Sequence, residues 1–85
     1  MKQGLLVYQP RASVWRVWID HDAYHIEPGE GIQININDDY FHALIEKEYD
    51  WIIRIEGVLT FMLNPNEIYT LLVNPDTLFV YQVPS

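Results

Sequence analysis

Residues 31–46 read Gly-Ile-Gln-Ile-Asn-Ile-Asn-Asp-Asp-Tyr-Phe-His-Ala-Leu-Ile-Glu, and this stretch decides the fold class. Isoleucine alternates with polar residues from Ile32 to Asn37, and apolar residues alternate again from Phe41 to Ile45. Successive side chains of a strand point to opposite faces, so each run predicts a half-buried strand. The Asn-Asp-Asp segment between the two runs predicts a tight turn. We therefore predict a β-hairpin over this stretch.

A helix over residues 40–49 is the alternative for the second half of this stretch. Asp38 or Asp39 would cap its N-terminus, and three apolar side chains would share one helical face. The strand that precedes it and the apolar alternation favour the hairpin.

The rest of the chain has the same β pattern. Alternating or apolar runs, separated by Gly, Pro, Asn and Asp, predict further short strands. These runs are residues 4–9, 13–19, 24–27, 50–55, 58–63, 68–73 and 77–83. Closely spaced turn signals of this kind are typical of a small barrel or sandwich. We predict one all-β domain over residues 1–85, an SH3-like barrel or barrel-like sandwich of about six to eight short antiparallel strands.

The two runs near the end of the chain differ from those in the middle. Residues 68–73 and 78–83 are apolar on both faces. Such strands are buried on both sides or are covered by a partner. A domain of 85 residues has little room to bury both faces of two strands. We therefore expect a homodimer contact through the C-terminal strands.

The charge of the chain is acidic and unevenly distributed. Twelve acids against five bases give a net charge of −7. Ten acids and two bases lie between residues 20 and 56, so that segment has a charge of −8. Phosphate binding needs clustered Lys and Arg, so we expect neither direct nucleic-acid binding nor an anionic membrane partner. An ordinary solubilising surface is one interpretation of the acids. The alternative is an acidic decoy whose carboxylates occupy the basic groove of a nuclease or DNA-binding protein.

Composition also excludes several classes of protein. There is no cysteine, which excludes disulfides, thiolate zinc sites and cysteine nucleophiles. No apolar run approaches the roughly 20 residues that cross a bilayer. The apolar run near the N-terminus is too short for a signal peptide. We expect a cytoplasmic protein.

The histidines and carboxylates do not form a catalytic or metal-binding motif. His21 and His25 are four residues apart beside Asp20 and Asp22, a spacing that would suggest a metal site on a helix. The segment is predicted to be a turn between strands, and no motif places a third ligand. No serine elbow, phosphate-binding glycine loop or zinc-binding helix occurs either. We therefore expect a protein without cofactor, metal or catalytic activity.

Aromatic residues are the remaining candidates for function. Trp15 and Trp51 are expected in the core, whereas Trp18 and Tyr40 share strand faces with polar groups and are expected at the surface. Small SH3-like barrels bind peptides with such aromatic surfaces. We predict a protein-interaction module whose partner is another protein, a basic one in the decoy alternative. The predicted partner-binding residues are Trp18, Asp38, Asp39, Tyr40, Glu46 and Glu48.

The order of these features resembles a known family. The chain opens with Lys-Gln-Gly-Leu-Leu-Val-Tyr at residues 2–8, and Pro-Gly-Glu at residues 28–30 precedes an alternating strand. Tyr40, Ile45-Glu46 and Trp51 follow in that order. This order resembles a family of very small proteins, of no established activity, from Firmicutes and their phages and conjugative elements. The resemblance implies a small β-barrel, no catalytic residues and an accessory or regulatory role in a mobile element.

Overall fold

The computed structural model describes residues 1–80, and these residues form nine strands. All-β architecture with antiparallel pairing is thereby confirmed. A 3-10 turn at Pro75–Thr77 precedes the last strand. The strands are β1 (Lys2–Gln9), β2 (Val14–Ile19), β3 (Asp22–His25), β4 (Gly31–Ile36), β5 (Asp39–Lys47), β6 (Trp51–Ile55), β7 (Leu59–Met62), β8 (Tyr69–Val73) and β9 (Phe79–Val80).

All nine strands belong to one sheet, in the order β7-β6-β5-β4-β8-β1-β2-β3-β9. The first meander consists of β1 to β3, and the second meander consists of β4 to β7. Strand β8 lies between them and pairs with both β4 and β1. Within residues 1–80 no pairing joins β7 to β9. This part of the sheet is therefore open and is not closed into a barrel.

The open sheet is strongly curled. The ring centroids of Phe61 in β7 and Tyr69 in β8 are 6.4 Å apart, although four strand positions separate their strands. In a flat sheet four positions would span about 19 Å. Curling lets one face of the sheet enclose the core, in which Leu6, Ile45 and Ile53 have no exposed surface. Both meanders thus contribute to one core.

The hairpin predicted over residues 31–46 is confirmed. Ile36 pairs with Asp39, so the turn consists of Asn37 and Asp38 alone. Both residues have positive φ, 53° and 72°. Two-residue hairpin turns of type I′ require positive φ at both central positions, and Asn and Asp tolerate it well. The alternative helix over residues 40–49 is wrong, because most of these residues lie in β5.

The two apolar runs near the C-terminus do not form a hairpin in the described part of the chain. β8 is central, and β9 pairs with β3 at the far side of the first meander. The apolar character of β8 has a physical cause in this position. Leu71 and Val73 are buried in the core, and both edges of the strand are paired. The predicted run over 78–83 extends beyond the described residues.

Close packing between β1 and β2 depends on Gly4. A Cβ added there would lie 3.1 Å from the main-chain oxygen of Trp18 and 3.1 Å from Val17 Cγ1. Gly4 is buried on the core face of β1. The absence of a side chain at this position therefore lets β1 and β2 approach each other closely.

Candidate protein-interaction surfaces

The six residues predicted to bind a partner lie in three separate places. Trp18 is in β2, four strand positions from β5. Asp38, Asp39 and Tyr40 are at the β4–β5 turn. Glu46 lies seven residues after Asp39 in β5, a distance of roughly 23 Å along the strand. Glu48 lies just beyond the end of that strand. The structure therefore does not bring the predicted residues into one site.

Trp18 lies on the outer face of the first meander. It pairs with Leu5 of β1 on one side and with Ala23 of β3 on the other, and directly opposed residues share a face. Trp18 is 40% exposed and Leu5 is 42% exposed. We call this group the Trp18 surface, and its members are Leu5, Val7, Arg16, Trp18 and Ala23.

Two depressions flank the Trp18 ring, which borders both. The smaller one, about 280 Å³ in volume, lies toward the β1–β2 turn and has Val7 and Ala23 in its wall. The larger one, about 540 Å³, lies toward the start of β1 and has Leu5 and Asp20 in its wall. The small side chain of Ala23 leaves the space beside the indole ring. This arrangement offers a raised aromatic side chain between two recesses.

The Trp18 surface has nearly balanced charge. Lys2, Arg16 and Asp20 are the charged groups among the described residues that line the two depressions. Lys2 and Asp20 are exposed, whereas Arg16 is only 8% exposed. The surface thus presents little net charge on a chain of net charge −7.

The acidic turn between β4 and β5 is solvated. Asp38 and Asp39 are exposed, and the main-chain N–H of Asp38 donates to Asn35 Oδ1 at 3.3 Å. Tyr40 is 36% exposed and opposes Asn35 on the outer face. Its prediction as a surface residue is consistent with this position.

The carboxylates at the other end of β5 are partly neutralised. Arg54 Nη2 lies 3.0 Å from Glu46 Oε2 and 3.5 Å from Glu48 Oε1. Arg54 therefore bridges the two acids on the outer face of the second meander. An ion-pair cluster of this kind presents less negative charge to a partner than the sequence alone suggests.

The three histidines lie apart from one another in the described part of the chain. His21 is exposed in the β2–β3 turn and His25 is half-buried in β3. Residues 1–80 contain no group of three His, Asp or Glu side chains that could hold a metal ion. His42 borders a depression of about 480 Å³ that also touches Arg54 and Glu56, but no Ser or Thr lines it.

A cluster of aromatic residues surrounds Trp15 in the core. Trp15 is 1% exposed, and its ring contacts Tyr8 at 5.3 Å and Tyr69 at 5.9 Å between centroids. Trp51 is half-buried, and Lys47 Nζ lies 5.6 Å from the centroid of its ring. A cleft of about 320 Å³ separates these groups. The predicted core position of Trp15 is confirmed, and Trp51 packs against the core from the side.

Of the Trp18 surface, sequence reasoning found Trp18 alone and missed Leu5, Val7, Arg16 and Ala23. Leu5 stands in an apolar run of β1 that gives no indication of which residues stay exposed. Ala23 is 5% exposed and matters through its small size. The cross-strand register that places both beside Trp18 could have been found by aligning the predicted strands across their turns.

Comparisons with protein-family models, curated proteins and solved structures found no match to this chain. The resemblance to small proteins of mobile elements therefore stays a prediction. The one helical segment in residues 1–80 is a three-residue 3-10 turn, so no helix of that range could span a membrane.

Proposed function

We propose that this protein is a non-enzymatic protein-interaction module that binds another protein through the Trp18 surface. The observation that carries the proposal is the exposure of a tryptophan, at 40%, on the face of a sheet between two depressions. Tryptophan is enriched among the residues that contribute most to protein–protein binding. Small SH3-like barrels, the finer fold class predicted from the sequence, also bind peptides on aromatic surfaces.

Contact geometry supports a partner segment that lies across the outer face of β1, β2 and β3. Leu5 and Trp18 would be covered by the partner, and the two recesses would each receive a side chain. Apolar side chains suit these recesses, because Val7 and Ala23 form one wall and Leu5 another. Burial of exposed apolar area is favourable by about 25 cal/mol per Å² before the cost of ordering both partners.

Charge supports a neutral partner segment. Lys2, Arg16 and Asp20 border the recesses, whereas eight of the twelve acids of the chain lie in residues 27–63. A partner that approaches the Trp18 surface thus meets little repulsion from the net charge of −7. This differs from the basic partner that the decoy alternative requires.

The acidic-decoy alternative has less support from the geometry. A decoy needs carboxylates in a continuous array that stands in for phosphates. Asp38 and Asp39 lie roughly 23 Å from Glu46 along β5, and Arg54 bridges Glu46 and Glu48. Neutralising these four carboxylates tests the decoy directly.

A pull-down from cells that express the protein tests the proposal. Wild type, Trp18→Ala and Tyr40→Ala would be immobilised, and proteins retained by wild type would be identified and then purified for binding measurements. We expect Trp18→Ala to weaken binding by at least about 2 kcal/mol, or about thirtyfold in Kd. Tyr40→Ala removes a similarly exposed aromatic ring from the second meander, so it should bind like wild type.

Salt dependence separates the two candidate functions. Binding through the Trp18 surface should change little between low and high ionic strength, because apolar contacts are not screened. The variant Asp38→Asn/Asp39→Asn/Glu46→Gln/Glu48→Gln should bind like wild type. Steep weakening by salt, together with loss of binding in the neutralised variant, would contradict the proposal and favour the decoy. Equal binding by Trp18→Ala and wild type would also contradict it.

A further inference from the structure

Within residues 1–80, strand β7 is an edge strand whose outward main-chain groups have no strand partner. It pairs with β6 alone among the described strands. The N–H of Leu63 donates to the Trp51 oxygen at 3.0 Å, so this residue directs its main-chain groups toward β6. Alternate residues direct theirs to opposite sides. Thr60 and Met62 therefore direct an N–H and a C=O each toward the open side of β7.

Strand β7 is short, but it contains no charged residue and no proline. Charges and proline are two of the features by which proteins keep edge strands from pairing between molecules. Residues 57–66 contain no charged side chain, and this is the longest uncharged stretch in the chain. Val58 is 86% exposed, Leu59 is 61% exposed and Met62 is 65% exposed. The edge is thus neutral, apolar and accessible.

We propose that two copies of this chain associate through their β7 strands, which pair antiparallel about a twofold axis at Phe61. In this register Thr60 of each copy opposes Met62 of the other. The outward N–H and C=O groups of these two residues then form four hydrogen bonds between the copies. Residues that oppose one another between the copies also lie on the same face of the sheet. Phe61 opposes Phe61 on the core face, and Thr60 opposes Met62 on the outer face.

A second copy fits this edge in spite of its like net charge. The acids nearest to β7 are Glu56, five residues before the proposed axis, and Glu67, six residues after it. Both lie outside the strand, so the residues that pair between the copies, Leu59–Met62, carry no charge. Like charges are therefore absent from the paired segment itself. The neutral stretch thus lets two chains of charge −7 meet.

Sedimentation velocity from low to high micromolar concentration tests the association. We expect wild type to change from monomer to dimer over this range, since a four-residue strand gives a small contact. Thr60→Pro removes an outward N–H from each copy, and edge strands tolerate proline where the N–H faces solvent. The dimer dissociation constant of this variant should be at least about tenfold higher than that of wild type. Thr60→Ile keeps the N–H and serves as the matched control, with dimerisation like wild type.

Cross-linking checks the register independently of any effect of proline on folding. The chain has no cysteine, so introduced cysteines report only on themselves. A mixture of Thr60→Cys and Met62→Cys chains should form mixed disulfide dimers in preference to Thr60→Cys pairs, because the register opposes positions 60 and 62. A wild type that stays monomeric at high micromolar concentration would overturn the proposal. Dimers that Thr60→Pro leaves unchanged, or cross-links that show no preference, would overturn it as well.

Discussion

The two meanders of the sheet share one core but differ in charge and in what they expose. Up to residue 26 the chain has three bases and two acids, a net charge of +1, whereas residues 27–63 have two bases and eight acids, a net charge of −6. The first meander exposes Trp18 and Leu5 on its face, and the second exposes Leu59 and Met62 at its edge. One sheet thus offers two kinds of contact. A face binds through side chains, and an edge binds through its main chain.

The largest effect is expected where the two meanders meet. Leu71 in β8 is fully buried and lies between β4 and β1. Leu71→Ala would leave a cavity at this junction, so we expect the free energy of unfolding to fall by about 3 kcal/mol. Ile68→Ala, in a residue that is 61% exposed just before β8, is the control and should change it by less than about 0.5 kcal/mol. Urea denaturation measures the free energy of unfolding of both variants. Equal changes would contradict the buried position of Leu71 at this junction.

An intermediate effect is expected at the tight packing of the first meander. Gly4→Ala would bring a Cβ within 3.1 Å of main-chain and side-chain atoms of β2. We expect the free energy of unfolding to fall by about 1–3 kcal/mol, because the main-chain oxygen of Trp18 cannot move aside without disturbing the sheet. Gly31→Ala in the second meander is the matched control. Its added Cβ would meet its nearest neighbour, Leu44 Cδ2, at 4.0 Å.

The result for Gly31→Ala should be close to neutral or slightly stabilising, since replacing glycine at an unstrained position reduces the entropy of the unfolded chain. Thermal unfolding of the two alanine variants, followed by circular dichroism, separates the cases. A similar loss at both positions would indicate a general intolerance of the strands to alanine, and the tight approach of β1 to β2 would then need another explanation.

The smallest effect is expected at the ion-pair cluster of the second meander. Arg54 is 39% exposed in its side chain, so its pairs with Glu46 and Glu48 are largely screened by solvent. Arg54→Met should lower the free energy of unfolding by about 0.5 kcal/mol at low salt, and less at high salt. Lys2→Met removes the same charge from the first meander and should have no measurable effect. If both variants lost the same free energy of unfolding at every salt concentration, the result would contradict a stabilising role for the ion pairs of Arg54.

Local features of the fold could be predicted from the sequence, because they depend on neighbouring residues. Alternation predicted β4 and β5, and the Asn-Asp turn that joins them follows from the tolerance of these residues for positive φ. Partners that are distant in the sequence could not be predicted. The position of β8 between β4 and β1 depends on curling of the whole sheet, and no local pattern in residues 69–73 indicates it.

The candidate surface was predictable only in part, for the same reason. Trp18 was expected at the surface because it shares a strand face with a polar group, and the structure exposes it. Arg16, the polar neighbour on which that expectation depended, is itself buried. The other predicted residues lie elsewhere on the sheet, since sequence proximity between Asp38 and Glu48 does not bring the two ends of β5 together.

The central position of β8 also determines when this protein can fold during synthesis. Both meanders form from neighbouring segments, and such local contacts form quickly. The strand that joins them, Tyr69–Val73, is made after both meanders. Until it is made, β4 and β1 each have an unpaired edge next to uncovered core residues, and such edges favour aggregation. We therefore expect a chain truncated before residue 69 to form two incomplete sheets that aggregate.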